Sequence, residues 1–315
     1  MKMSDAFEKL METAKKIRAM AANESYQRDC RSGGEVPPPD RYDYYYEQVY
    51  SDIEPALEPY LRMPNPTAYD ALIQRIKDAM ELLNTREAAF ETALTRGVHT
   101  TSDSLDRLST AGGFLSEWTG EAAIAFKANY IDGFKTKVGY DFTALSTMKG
   151  AFEAHKAMWE AARKDIVTIA HNTMVTLQHY SEPSKNDAKF YYAVLSAIGT
   201  VSAAVITVLT GGATAPIVGI GAAASIGAAS ESSSSSTSTE ATVGGSSPEA
   251  IIRSMLKEID NLRHHIQTVE ADAAKKLGLL EDGVYKNKDK LVPARPRLAD
   301  MSDRDLYGRS GMGRT

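Results

Sequence analysis

The residues that could do chemistry are scattered along the chain rather than grouped. Of the six histidines, His264 and His265 are adjacent and so face different sides of a helix, and His155 falls on an apolar seam. A polar residue in such a seam sets helix register more readily than it binds a metal. No metalloprotease helix motif, phosphate-binding Gly-Lys-Ser loop or serine nucleophile elbow is present. Residues 217–224, Ile-Val-Gly-Ile-Gly-Ala-Ala-Ala, have glycines after an apolar run, as a dinucleotide-binding turn would. The context is wrong, because no alternating strands and helices surround them. The acidic partner expected about 20 residues further on would be Glu240, inside a serine-rich stretch. The sequence therefore assigns no catalytic residue, no cofactor and no metal, and we expect a protein that is not an enzyme.

Cys30 is the one cysteine, which rules out an internal disulfide and a zinc site of the multi-cysteine kind. The 315 residues are 43% hydrophobic and 24% charged, ordinary globular usage that argues against a disordered or multi-spanning chain. A net charge of -5 offers no basic field, so nucleic acid is not expected as a partner.

What must position any site is helix. Over residues 5–22, Phe7, Leu10, Met11, Ala14, Ile17 and Met20 recur at helical spacing, giving an N-terminal amphipathic helix within residues 1–30. Residues 31–65 form a Pro/Tyr-rich linker with a short helix. Gly33, Gly34 and the prolines at 37–39 interrupt regular structure there, and the cluster Tyr42, Tyr44, Tyr45, Tyr46 and Tyr50 is expected to pack amphipathic rings against the bundle. From residue 66 to about 96, Leu72, Ile76, Met80, Leu83, Phe90 and Leu94 form a seam.

A long helix is expected over residues 121–180, bent near Gly133 or Gly139. Its seam runs through Leu145, Met148, Phe152, His155, Trp159, Ala162, Ile166, Ile169 and Thr173. A second seam, Ile252, Met255, Ile259, Leu262, Ile266, Val269 and Ala273, matches it in a C-terminal amphipathic helix over 248–280, with Gly278 as its expected stop. The fold class expected is all-α, an elongated antiparallel helical bundle with a coiled-coil-like seam. Residues 283–315 have no apolar period and read as a mobile tail.

Between the two seams lies the most unusual stretch. Residues 190–230 carry no charge. The run 190–209 has the length that crosses a hydrocarbon core, Gly211, Gly212 and Pro216 mark a turn, and Gly219, Ala223 and Gly227 recur every fourth residue. Residues 188–230 thus read as a Gly/Ala-rich hydrophobic helical hairpin, followed by a flexible serine-rich linker at 231–247. Its candidate membrane-contact residues are Val205, Ile206, Leu209, Ile217 and Ile220.

Trp118, Thr119 and Gly120 stand between helical segments and are followed by Ala122, Ala123 and Phe126. On these residues the stretch 66–180 resembles the Trp-X-Gly superfamily of type VII secretion substrates, helical proteins of an actinobacterial export route. The resemblance implies a helix-turn-helix whose partner-binding turn comprises Trp118, Gly120 and Phe126. It also implies an export signal of the form Tyr-x-x-x-Asp/Glu. Tyr285 and Asp289 have that spacing, as do Tyr50 and Glu54 on the other side of the turn.

Two functions follow as expectations. One is a non-catalytic helical protein, working through helix–helix interaction as a homo-oligomer or with a Trp-X-Gly-type helical partner and the secretion machinery. The alternative is a protein in the style of α-helical pore-forming toxins, inserting residues 190–229 into a target lipid membrane. The first residues are charged and amphipathic, without the apolar core of a secretory leader. The expected location is therefore secreted or cell-surface without a cleaved signal peptide, with the cytoplasm as the alternative.

Overall fold

The computed structural model describes residues 3–33, 38, 40–83, 120–132, 134–180, 187–194, 240–286, 288–291, 302 and 304. In chain order these form α1 (Met3–Glu8), α2 (Leu10–Gly33), α3 (Asp40–Tyr44), a π-helical turn (Tyr45–Val49) and α4 (Ile53–Leu57). Two 3-10 turns (Glu58–Arg62 and Pro66–Tyr69) lead into α5 (Asp70–Leu83). After it come α6 (Glu121–Phe126), a second π-helical turn (Lys127–Asp132), α7 (Phe134–Gln178), strands β1 (Asp187–Tyr191) and β2 (Glu240–Gly244), α8 (Pro248–Lys286) and α9 (Lys288–Leu291). The protein is mostly helical, with long helices packed as a bundle and one small two-stranded sheet. The sheet corrects the all-α expectation.

The chain divides into two compact units, Met1–Ala68 with Ala154–Gly199 and Ser230–Asp272, and Tyr69–Glu153 with Thr200–Ala229 and Ala273–Thr315. The first unit is built on three apolar seams. In α2, Leu10, Ala14, Ile17 and Ala21 step by four, three and four residues and are all at most 1% exposed. In α7, Met158, Ala162, Ile166 and Ile169 are fully buried, and in α8 Ile251, Met255, Ile259 and Leu262 are. Side chains three and four residues apart share one helix face, so each helix presents a continuous apolar stripe and the stripes bury one another. Complete burial of each leucine, isoleucine or methionine among them is worth about 1.5–3 kcal/mol.

Several boundaries differ from the sequence expectation, each for a local reason. Helix α2 continues past the last apolar repeat to Gly33, and within that extension Ser25 is buried and bonded to the Tyr50 hydroxyl at 2.6 Å. The region read as a linker is largely helical turns. Tyr45, Tyr50 and Tyr60 are buried there, and the Tyr60 hydroxyl donates to the Ile259 carbonyl at 2.7 Å. The expected helix over 121–180 is divided by the π-helical turn at Lys127–Asp132. Helix α8 runs through Gly278, whose added Cβ would meet nothing within 4 Å, and so accepts a glycine in its interior at about 1 kcal/mol.

In the second unit, Ile76 and Met80 of α5 form a cluster with Phe142 of α7, joined by the partly buried Leu83, Leu145 and Phe152. Leu72, the first residue of that expected seam, is 38% exposed. Phe90 and Leu94 lie outside the described residues.

Candidate functional site

The strands β1 and β2 flank the uncharged stretch in sequence, β1 overlapping its start at Phe190 and β2 beginning at Glu240, ten residues after Ser230. They pair antiparallel, Asp187 opposite Gly244, Lys189 opposite Thr242 and Tyr191 opposite Glu240. Burial alternates along them. Phe190, Tyr192 and Val194 face inward, as do Ala241 and Val243, while Tyr191 is 60% exposed. This is the period-two pattern of a strand with one covered face. Residues 240–244 of the stretch expected to be a flexible linker are therefore ordered strand, and residues 188–191 of the expected helical hairpin are strand as well.

Strand β2 is tied to the long helices by side chains. Ser254 of α8 donates to the Thr242 carbonyl at 2.9 Å and accepts the Gly244 N–H at 3.3 Å. The Thr176 hydroxyl of α7 donates to the Asn172 carbonyl at 2.8 Å and shares its proton more weakly with the Val243 carbonyl at 3.4 Å. At Gly245 the chain turns into α8 so closely that an added Cβ would stand 2.6 Å from the Ala250 Cβ. The Ser247 hydroxyl then accepts the Ala250 N–H at 3.2 Å, capping the helix that Pro248 begins.

Beyond β1 the chain meets two buried carboxylates. Asp165, on α7 and 2% exposed, accepts the Ala193 N–H at 2.9 Å on one oxygen and the Val194 N–H at 2.8 Å on the other. On α8, Glu258 is 7% exposed and its Oε2 accepts the Tyr192 hydroxyl at 2.6 Å and the Asn261 amide at 3.0 Å. The Tyr192 ring stands edge-on to Phe190 at 5.2 Å and to His265 at 4.8 Å. Burial pushes the Asp165 carboxyl up to about 6, against the two backbone N–H bonds that favour its charge. Burial, followed by the neighbouring His264, lowers the affinity of His265 for a proton. Three consecutive residues, Tyr192 to Val194, are thus gripped from both long helices by groups that would otherwise be buried and unsatisfied.

A second polar cluster holds the N-terminal helix against the start of α8. Arg28 donates to both carboxylate oxygens of Glu249, at 2.6 and 2.7 Å, and Ser25 donates to the same carboxylate at 3.2 Å. Burial opposes the Glu249 charge, but the bonds from Arg28, its own backbone N–H and Ser247 prevail and hold the carboxyl down to about 2. Asp29 accepts the Tyr45 hydroxyl at 2.7 Å, and Arg18 bridges Glu47 and Glu54, both at 2.9 Å, with its guanidinium 4.0 Å over the Tyr46 ring.

The residues singled out by sequence fall elsewhere. Trp118, Val205, Ile206, Leu209, Ile217 and Ile220 lie outside the described residues. Gly120 has extended backbone, φ -72° and ψ 156°, at the N-terminus of α6, where Ala122 and Ala123 are buried. Phe126 stacks on Tyr130 at 5.1 Å. Tyr285 is 75% exposed at the end of α8, with the Lys288 ammonium 5.8 Å from its ring, and Asp289 falls within α9. His155 is half-buried, edge-on to Trp159 at 6.4 Å. Among the described residues no three His, Cys, Asp or Glu side chains converge as a metal site, and no helix is long and apolar enough to cross a membrane.

Sequence reasoning missed Asp165, Tyr192 and Glu258. The available signals were a charge placed between Ala162 and Ile166 on an apolar stripe, and the alternation of Phe190, Tyr192 and Val194. Family models, curated proteins and solved structures contain no match to this chain.

Proposed function

We propose that this is a non-catalytic helical protein that offers its uncharged segment to a lipid membrane from a fixed base, in the manner of α-helical pore-forming proteins. One observation supports the reading: the chain on either side of the segment is held by the paired strands β1 and β2, with Tyr192, Ala193 and Val194 clamped by Glu258 and Asp165. A base bonded at both ends holds an apolar insertion in place without requiring the insertion to contribute to the bundle. Within that insertion, residues 195–230 carry no charge to oppose transfer into hydrocarbon.

The test is flotation on liposomes of the full-length chain beside a variant in which residues 197–237 are replaced by a short Gly-Ser linker, so that both strands and the clamp remain. Circular dichroism serves as the folding control. Flotation of the full-length protein alone supports the reading, and loss of flotation on placing lysine at Val205 and Ile220 localises it. Equal behaviour of all forms overturns it.

A second reading, export through a type VII system with a helical partner or a second copy, draws support from Gly120. It stands as the N-cap of α6 in extended backbone, so a helix begins directly after the Trp-X-Gly motif, as that reading requires. Alanine at Trp118 and Gly120 is expected to abolish export or partner binding while helicity stays normal. Unchanged export removes this reading.

A further inference from the structure

We infer that a second copy of this chain docks, antiparallel and about a two-fold axis, on the outer face of the distal part of α8, residues 274–285. This docking is independent of the membrane reading. One side of the helix is already occupied, since Leu280 is 6% exposed and Gly283 is buried. The opposite side is bare. Ala274, Gly278, Glu281 and Tyr285 step by four, three and four residues and so share one face. All four are exposed, Tyr285 to 75%, and a Cβ added at Gly278 would meet nothing within 4 Å. This face has two unlike flanks. On one run the exposed Lys275 and Asp282, and on the other Leu277 and Val284, each 37% exposed. The residues of each flank are two helical turns apart and therefore form a row.

What fits such a face is its own reverse. In a two-fold pair of antiparallel helices, positions equally far on either side of the axis lie opposite each other. With the axis between Leu279 and Leu280, Tyr285 of one copy lies over Ala274 of the other, large on small, and Glu281 reaches past Gly278, where no side chain blocks it. Each flank then meets its own kind. Lys275 faces Asp282 of the second copy and Leu277 faces Val284, both contacts occurring twice by symmetry. A parallel pair would instead set the charged flank of each copy against the apolar flank of the other, leaving both charges unmatched. The Asp282 carboxylate is open to the new partner. Its present contact is to Lys286 at 3.7 Å, with both side chains largely exposed, a pairing worth little in water. Removing Leu277, Val284 and Tyr285 from water drives the association, and the charges set its direction. Residues 274–285 span about 18 Å of helix. So short a contact belongs to the weak, reversible end of specific interfaces.

The experiment follows the full chain by sedimentation equilibrium over a wide range of concentration, with circular dichroism as the folding control. The parent is expected to pass reversibly from monomer to dimer. Lys275→Glu and Asp282→Lys each bring like charges together at two symmetric positions, and each is expected to weaken the dimer about tenfold. The doubly exchanged chain, Lys275→Glu with Asp282→Lys, restores the pairs and with them the parent's dimerisation. Orientation is read separately in a Cys30→Ala background, by oxidising a mixture of Leu277→Cys and Val284→Cys chains with oxidised glutathione. The mixed disulfide is expected to form faster than the disulfide of either variant with itself. A chain that stays monomeric at every concentration overturns the inference. So does a dimer indifferent to both single charge reversals, which would place the second copy on another surface. Faster linking of Leu277→Cys to itself than to Val284→Cys overturns the antiparallel arrangement, and the inference with it.

Discussion

Arg28 and Glu249, 221 positions apart in sequence, meet in a two-bond pair at 2.6 and 2.7 Å that ties helix α2 to the first turn of α8. The carboxylate also lies at a helix N-terminus, where the unpaired N–H groups favour negative charge. Its value of about 2 is below the ordinary 4.5, so the pair contributes stability that is complete above about pH 4.5 and is lost as pH falls toward 2. Glu249→Gln is expected to cost about 1–3 kcal/mol at neutral pH. It should also flatten the stability profile between pH 4.5 and 2, as measured by urea midpoints. A variant that keeps the parent's acid profile contradicts this.

Asp165 acts with the opposite sign. Its carboxyl, raised by burial to about 6 from the ordinary 3.8, holds a proton more tightly folded than unfolded. Its contribution to stability therefore falls as pH rises from about 4 to about 6. Asp165→Asn removes this slope. It is also expected to cost about 1–3 kcal/mol at pH 7, since an amide accepts one of the two N–H groups but turns a donor toward the other. Equilibrium unfolding across this pH range checks both.

Two glycines of the same stretch are expected to respond in opposite directions to alanine. At Gly245 the new Cβ would stand 2.6 Å from the Ala250 Cβ and 3.0 Å from the Ile251 nitrogen, so β2 and α8 must separate. That should cost about 1–3 kcal/mol. At Gly278 the Cβ would enter open space within helix α8, and alanine is expected to stabilise by about 0.5–1 kcal/mol. Thermal unfolding of the two variants should therefore move to either side of the parent.

Tyr60→Phe removes the hydroxyl that donates to the Ile259 carbonyl while keeping the buried ring. A loss of about 0.5–1.5 kcal/mol is expected. Faster amide exchange in the middle of α8 than in the parent would be its local signature. An unchanged exchange pattern would mean that the bond does not hold this turn.

The long helices were legible because their cause is local. The repeats Leu10-Ala14-Ile17 in α2, Ala162-Ile166-Ile169 in α7 and Met255-Ile259-Leu262 in α8 place apolar side chains on one face whatever the partner, and all of these residues are buried. Ser247 and Pro248 marked the start of α8 for the same reason. Of the tyrosine cluster, Tyr45 and Tyr50 are buried as rings packed in the bundle, while Tyr44 is 41% exposed, and the partners of the buried pair were not legible.

By itself the sequence determined a helical chain with an uncharged stretch between two matching seams, since periodicity and composition are properties of neighbours. The tertiary structure decided where that stretch begins. Phe190, Tyr192 and Val194 suit the end of a membrane helix and the covered face of a strand equally well. The choice depended on β2 lying opposite β1, and on Asp165 and Glu258 arriving from helices 28 and 66 positions away. A buried carboxylate and the backbone N–H groups that satisfy it share no repeat and no spacing. Their pairing exists only once the apolar stripes have brought the helices together.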